Sequence, residues 1–396
     1  MKIYKRLLGS AALSALLTMG MVGCGSSSDG NNVSTASEVT EKVVTPYQRI
    51  AVIPGTWDDV ASVADQIAQY VVDTDESTEL GYPTNWVVAG ANPGKGETYE
   101  LDDLLPIPAV GGKSRVIEFC NSAYAKMAMG TGRFHGSALP CEVSVHSDGE
   151  NIYIDMLDAD AIFSIFFTDI ADPEGSLEQV ASNVKAEIRG MVLASIADKS
   201  PAESTLQMGP VFDADGMEAV SFTSPYIVYK YKRTDDGTFV PGDDATLASE
   251  IIAKLGTATA TADTYVPGLS SGSAWRSGRP EPLPIPGVQV VEACSPKYAT
   301  KATKLGSEYI TALPCEITAY IDETDESNKT MAISFLNPNF MFGTMFKGAV
   351  EQAYADGTIT KEEVVEYSTL AEVVFGDLRL IVDSAVQDSS LGLEIQ

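Results

Sequence analysis

Apolar residues alternate with polar ones in short runs, and each run stands beside a longer stretch with helical spacing. Gln48 to Ile53 alternates as a strand does. Trp57 to about Val72 then places Val60, Val63, Ala64, Ile67 and Val71 on one helical face, with Thr56 as its cap. Trp86 to Ala89 predicts a short strand, Arg115 to Phe119 another, and Ser122 to Met129 a short helix ending near Gly130 and Gly132. Cys141 to Val145 and Asn151 to Leu157 flank His146-Ser-Asp-Gly-Glu, a hairpin signal, and a last helix covers about Leu177 to Ile196.

The same order then recurs. Strands are expected at Tyr226 to Tyr231, Thr257 to Val266, Val288 to Ala293, Cys315 to Ile321 and Thr330 to Leu336. Helices are expected at Ala245 to Leu255, Pro296 to Leu305, Asn339 to Tyr354 and Lys361 to Val386. Hairpin-paired strands interrupted by single helices predict an α+β fold of two duplicated domains, each a mainly antiparallel curved sheet backed by helices.

The duplication is explicit in the letters. Ala-Leu-Pro-Cys-Glu occurs at 138–142 and again at 312–316, each copy the same distance after another cysteine, Cys120 or Cys294. Tyr124/Tyr298, Ala125/Ala299, Ala128/Ala302 and Gly132/Gly306 match in the same frame. Leu105-Pro106-Ile107-Pro108 has its counterpart in Leu283-Pro284-Ile285-Pro286. A repeat of this length is a whole domain, not a solenoid unit. The expected organisation is a signal peptide at 1–23, a tether at 24–44, a first domain at 45–200 and a second at 210–396.

Charge and the N-terminus narrow the setting. The chain has 55 Asp+Glu against 26 Lys+Arg, a formal net charge of −29, which argues against a nucleic-acid partner because such a partner needs a basic face. Lys2, Lys5 and Arg6 precede an apolar run, Leu7 to Val22, shorter than the roughly 20 residues of a membrane span. Met21-Val22-Gly23-Cys24 and the polar GSSSDGNN after it resemble a bacterial lipoprotein signal, with Met21 where Leu is usual. That resemblance implies lipidation of Cys24, membrane attachment through the lipid, and an outer-membrane location facing the periplasm, since Gly25 follows the cysteine.

A strand ending in Cys, an Ala-rich helix, and Leu-Pro-Cys opening the next strand are similar to the DUF302 domain family. Both copies carry this pattern, most clearly over Arg115 to Phe167 and Val288 to Phe346. Ser122 stands in the first copy where the second has Pro296. The family implies a small antiparallel sheet backed by helices and no established activity.

Candidate chemistry centres on the cysteines. If the strands ending at Cys120 and beginning at Cys141 are antiparallel, both thiols lie at one end of the sheet, and Cys294 and Cys315 repeat the arrangement. Three readings stay open: one structural disulfide per domain, buried thiols packed as small apolar groups, or a reactive or soft-metal pair favoured by the helix that follows Cys120 and Cys294. Glu142 and Glu316 recur beside the second cysteines, on the opposite strand face, but one carboxylate per domain does not make an acid/base pair.

His135 and His146, with Met127 and Met129, have no matching ligands in the second copy, so no metal is assigned. Asp356 to Glu363 resembles half a calcium loop but lacks its first carboxylates; a capping box of Thr360 with Glu363 accounts for it better. Phe163, Phe166, Phe167, Phe340, Phe342 and Phe346 read as core, or as the wall of an apolar pocket between sheet and helix. No metalloprotease, P-loop or nucleophile-elbow motif is present. The sequence therefore leads to a lipid-anchored, non-enzymatic binding module without a cofactor, for an unknown small ligand or envelope protein. The alternative is a thiol-disulfide or soft-metal protein using the cysteine pairs.

Overall fold

The computed structural model describes residues 45–74, 86–88, 105–107, 112–139, 141–168, 170, 175–211, 224–255, 266, 268–270, 272–277, 281–282, 286–313 and 315–394. Cys24, the signal segment and the tether lie outside the described residues, as do 283–286 in part and most of the strand expected at 257–266. The described residues fall in one unit spanning Glu41–Gln396.

In the first copy, β1 (Tyr47–Pro54) leads through a short turn at Trp57–Asp59 into α1 (Val60–Thr74). Then follow β2 (Trp86–Val88), β3 (Leu105–Ile107), β4 (Gly112–Asn121), α2 (Ser122–Met129), β5 (Cys141–Ser147), β6 (Asn151–Leu157), α3 (Ala159–Phe166) and α4 (Ser176–Ser195). β7 (Ala202–Glu203) and β8 (Gln207–Met208) complete it, at the expected boundary between copies, where they pair along the outer edge of β1. The second copy runs β9 (Tyr226–Arg233), α5 (Asp243–Leu255), β10 (Arg276–Ser277), β11 (Glu281–Pro282), β12 (Val288–Cys294), α6 (Pro296–Leu305), β13 (Cys315–Ile321) and β14 (Thr330–Leu336). It ends with α7 (Pro338–Gly343), α8 (Ala349–Ala355), α9 (Lys361–Tyr367), α10 (Leu370–Gln387) and β15 (Leu393–Glu394).

Both sheets are antiparallel and share one topology. The first is ordered β2-β4-β5-β6-β1-β7, the second β10-β12-β13-β14-β9-β15. The hairpin between β5 and β6 turns at Gly149, whose φ of 98° suits glycine, while the Asp148 carboxylate accepts from the amides of Glu150 and Asn151. Two long helices expected in the second copy are broken. Gly348, in the left-handed region, separates α7 from α8, and residues 368–369 separate α9 from α10. α9 starts on the expected capping box, with the Thr360 hydroxyl accepting from the Glu363 amide and the Glu363 carboxylate accepting from the Thr360 amide.

Each sheet buries two faces. On the outer face of the first, Ile117, Phe119 and Val143 meet Ile67 of α1 and Val184 and Ile188 of α4. On the outer face of the second, Val291, Ala293 and Ile317 meet Ile251 of α5 and Leu378 and Ile381 of α10. The inner faces share a third core, in which Ala128, Ile165 and Phe166 pack with Val290, Tyr309 and Phe346.

That shared core has the signature of an isologous interface, in which each contact has a mirror contact. The 3-10 segment Arg133–Ala138 of the first copy lies on β13 and β14, and Ser307–Ala312 of the second lies on β5 and β6. Ser137 bonds Thr318 at 3.0 Å, and its counterpart Thr311 bonds Ser144 at 2.7 Å. The Tyr47 hydroxyl donates to the Met345 carbonyl at 3.3 Å, and the Tyr226 hydroxyl to the Phe166 carbonyl at 3.0 Å.

Candidate functional site

The pleat decides where the cysteines point. In the β4–β5 register Glu118 faces Glu142, and Phe119 faces Cys141. In the β12–β13 register Glu292 faces Glu316, and Ala293 faces Cys315. Side chains alternate across a strand, so the glutamates share the inner face while Phe119, Cys141, Ala293 and Cys315 share the outer one. Cys120 and Cys294, one residue further along, turn inward: Cys120 packs on the shared core and Cys141 on the outer core of its own copy. Each pair therefore lies at one end of a sheet, as expected, but offset by one residue and on opposite faces of the pleat. No disulfide joins the four described cysteines. Burial pushes the Cys141 and Cys315 thiols up, and the neighbouring glutamate and cysteine push in the same direction.

Beside each pair sits the same three-residue bracket. In the first copy the Trp86 indole and the Tyr124 hydroxyl both donate to the Glu187 carboxylate, each at 2.7 Å. In the second, Trp275 and Tyr298 donate to Oδ2 of Asp377 at 3.1 and 2.7 Å, and the Ser270 amide donates to Oδ1 at 2.9 Å. The rings meet edge-on in both, with centroids 6.2 Å apart in the first and 5.8 Å in the second. Burial and the Glu187 carboxylate raise the Tyr124 hydroxyl to about 12.

Both brackets wall a cavity. In the first copy it measures about 20 Å³, between Trp86, Phe119, Tyr124 and Phe163. In the second it measures about 100 Å³, between Trp275, Ala293, Tyr298 and Phe342. The larger cavity takes in Cys294, Cys315, Phe166, Met345 and Phe346 and reaches Glu142 and Glu316. Its wall uses residues of both sheet faces, so it wraps round the sheet end where β12 passes into α6. The phenylalanines expected as core or pocket wall serve as both.

The sequence reading left one carboxylate per domain, at Glu142 and Glu316. The fold corrects this, because the pseudo-twofold brings the two copies' inner faces together. Glu142 hydrogen-bonds Glu316, and Glu118 hydrogen-bonds Glu292. Burial is the largest cause raising all four, with mutual repulsion adding to it for Glu118, Glu142 and Glu316; Glu316 is pushed up to about 8. Glu118 and Glu292 were legible as the residue two before the first cysteine of each copy. Glu187 and Asp377 sit on the last long helices, where the copies share no motif.

The histidines do not join a site. His146 bonds Asp155, which also holds Arg49 in a two-pronged ion pair, and His135 stacks on Phe167 with centroids 4.6 Å apart. Met127 is exposed while Met129 is buried, on different helix faces. No described helix is long and apolar enough to cross a membrane.

Two regions of the chain, 111–194 and 282–361, match the family model described as domain of unknown function DUF302. No curated protein matches the chain. The matched regions hold the corresponding strands β4 to β6 and β12 to β14 of the two sheets, so the chain carries two DUF302 regions in tandem.

Proposed function

We propose that this is a binding protein of the cell envelope, anchored by lipid on Cys24, whose second copy takes a small apolar molecule bearing an amine or hydroxyl group. The observation that carries this reading is the cavity beside Ala293, apolar along most of its wall and ending on the carboxyls of Glu142 and Glu316. An apolar cavity of about 150 Å³ accommodates benzene, so about 100 Å³ suits a short branched chain or a small ring with modest adjustment. The carboxyls supply the polar point that fixes orientation in such a site.

A thiol-disulfide role draws less support. The burial that raises Cys141 and Cys315 disfavours the thiolate needed for exchange. The one-residue offset also points each pair to opposite faces.

The test is titration of the full chain with isobutylamine, isobutanol and isopentane, read by calorimetry. Saturable binding of the first two, abolished by Ala293→Phe, is the expected result; equal binding by the Ala293→Phe variant would overturn the site. Anchoring is tested by incorporation of labelled palmitate in bacteria, lost in Cys24→Ser if the signal is processed as proposed.

A further inference from the structure

Among the described residues, one group of three or more potential metal ligands comes together: Glu118, Glu142 and Glu316, with one carboxylate oxygen of each within 4.8 Å of the others. The three side chains are 5%, 4% and 4% exposed. Two ions of a carboxylate set cannot share so dry a space without compensation, because a buried charge needs a partner. Glu142 and Glu118 each hydrogen-bond a carboxyl of the other copy. One oxygen stands apart: Oε1 of Glu316 is buried and has no hydrogen-bond partner. A buried carboxylate oxygen left in this way marks a place for an ion or a bound water.

We propose that Glu118, Glu142 and Glu316 form a binding site for a hard divalent cation, such as Ca²⁺, Mg²⁺ or Mn²⁺, on the pseudo-twofold axis between the two copies. Oxygens on opposite sides of Ca²⁺ lie about 5 Å apart, since each bond is about 2.3–2.6 Å, so the spacing of the three carboxylates falls within one coordination sphere. An all-carboxylate set selects hard cations. The thiols of Cys294 and Cys315 stand on the cavity wall with Glu142 and Glu316, outside this set of oxygens. That cavity gives the ion a route to Glu142 and Glu316. A cation competes with protons for these carboxyls, so its uptake would release protons to solvent. The cation would link the two copies, because Glu118 and Glu142 come from the first and Glu316 from the second. The site does not depend on whether the cavity takes an apolar molecule.

The experiment titrates the metal-free full chain with Mn²⁺, following the loss of the free-ion paramagnetic signal and the protons released in weakly buffered solution. A single Mn²⁺ per chain, displaced by Ca²⁺ or Mg²⁺ and accompanied by proton release, is expected. Glu316→Gln and Glu118→Gln are each expected to weaken binding by roughly tenfold or more, while Glu326→Gln, on the exposed hairpin tip, leaves it unchanged. Gln keeps the size of the side chain and removes repulsion, so circular dichroism of both variants should match the parent. Absence of Mn²⁺ binding by the folded chain, or binding that survives Glu316→Gln, would overturn the proposal.

Discussion

Phe119 and Ala293 occupy the same place in the two copies, on the outer face opposite a cysteine, and they account for the main difference between the two sheet ends. In the first copy the phenyl ring is fully buried and closes the space between Trp86 and Tyr124. In the second the methyl group leaves that space open, and it joins the region beside the buried glutamates. The bracket of tryptophan, tyrosine and carboxylate is otherwise retained. The bracket with little room in one copy and ample room in the other is a structural device of the fold, and the size of the cavity beside it is set by the residue at this one position.

The largest expected effect comes from equalising the two. Phe119→Ala should destabilise the protein by about 3–5 kcal/mol, measured by urea unfolding, because the ring is lost from a closed core and the walls relax only in part. A much smaller loss would mean that the first copy collapses, and that the bracket does not hold the cavity open. Next in size is Asp377→Ala, which removes an acceptor used by the Trp275 indole, the Tyr298 hydroxyl and the Ser270 amide. A cost of about 2–4 kcal/mol is expected. Glu187→Ala should cost less, because Glu187 is only half-buried and water replaces part of what is lost.

The third prediction concerns pH. A carboxyl whose folded pKa lies above its unfolded value binds more protons when folded. Its stabilising contribution is complete below the ordinary carboxylate range and is lost as pH rises through the folded value. For Glu316 that window runs from the ordinary carboxylate range up to about 8. Melting temperature in chelator should therefore fall between pH 5 and pH 9, and Glu316→Gln should flatten the profile. An unchanged profile would mean that the inner-face carboxyls carry no linkage. The smallest effect tests the mirror contacts: Ser144→Ala and Thr311→Val should each cost about 1 kcal/mol, and together little more than one alone, because they share a single hydrogen bond.

Much of this architecture was legible in advance. Ser122–Met129, Asn151–Leu157, Pro296–Leu305 and Thr330–Leu336 begin and end where apolar spacing and capping residues place them. The Cys-Glu step of the repeated motif put Glu142 and Glu316 on the face opposite the adjacent cysteine, as the pleat requires. What the letters concealed was the contact between copies. Glu142 and Glu316 are far apart in the chain and meet only because the pseudo-twofold stacks inner face on inner face. No local pattern encodes that meeting. The helix from Ala159 to Phe166 was missed for a different reason: its apolar residues run on from the strand before it, and only Asp158, accepting from the Asp160 amide, marks its start. The partition of cysteines between faces follows from register, which a one-residue change in a loop would invert.

The exchange of the Arg133–Ala138 and Ser307–Ala312 segments has a temporal consequence. While the second half is still being synthesised, at roughly 5–20 residues per second, the completed first half has nothing to lay over the strands that Ser307–Ala312 will cover. For that interval of several seconds or more the inner-face side chains of β5 and β6, among them Glu142, Ser144, His146 and Asp155, stay in contact with water. Closing the second half over the first therefore dehydrates a polar surface, and that step waits until residues 307–312 have been made.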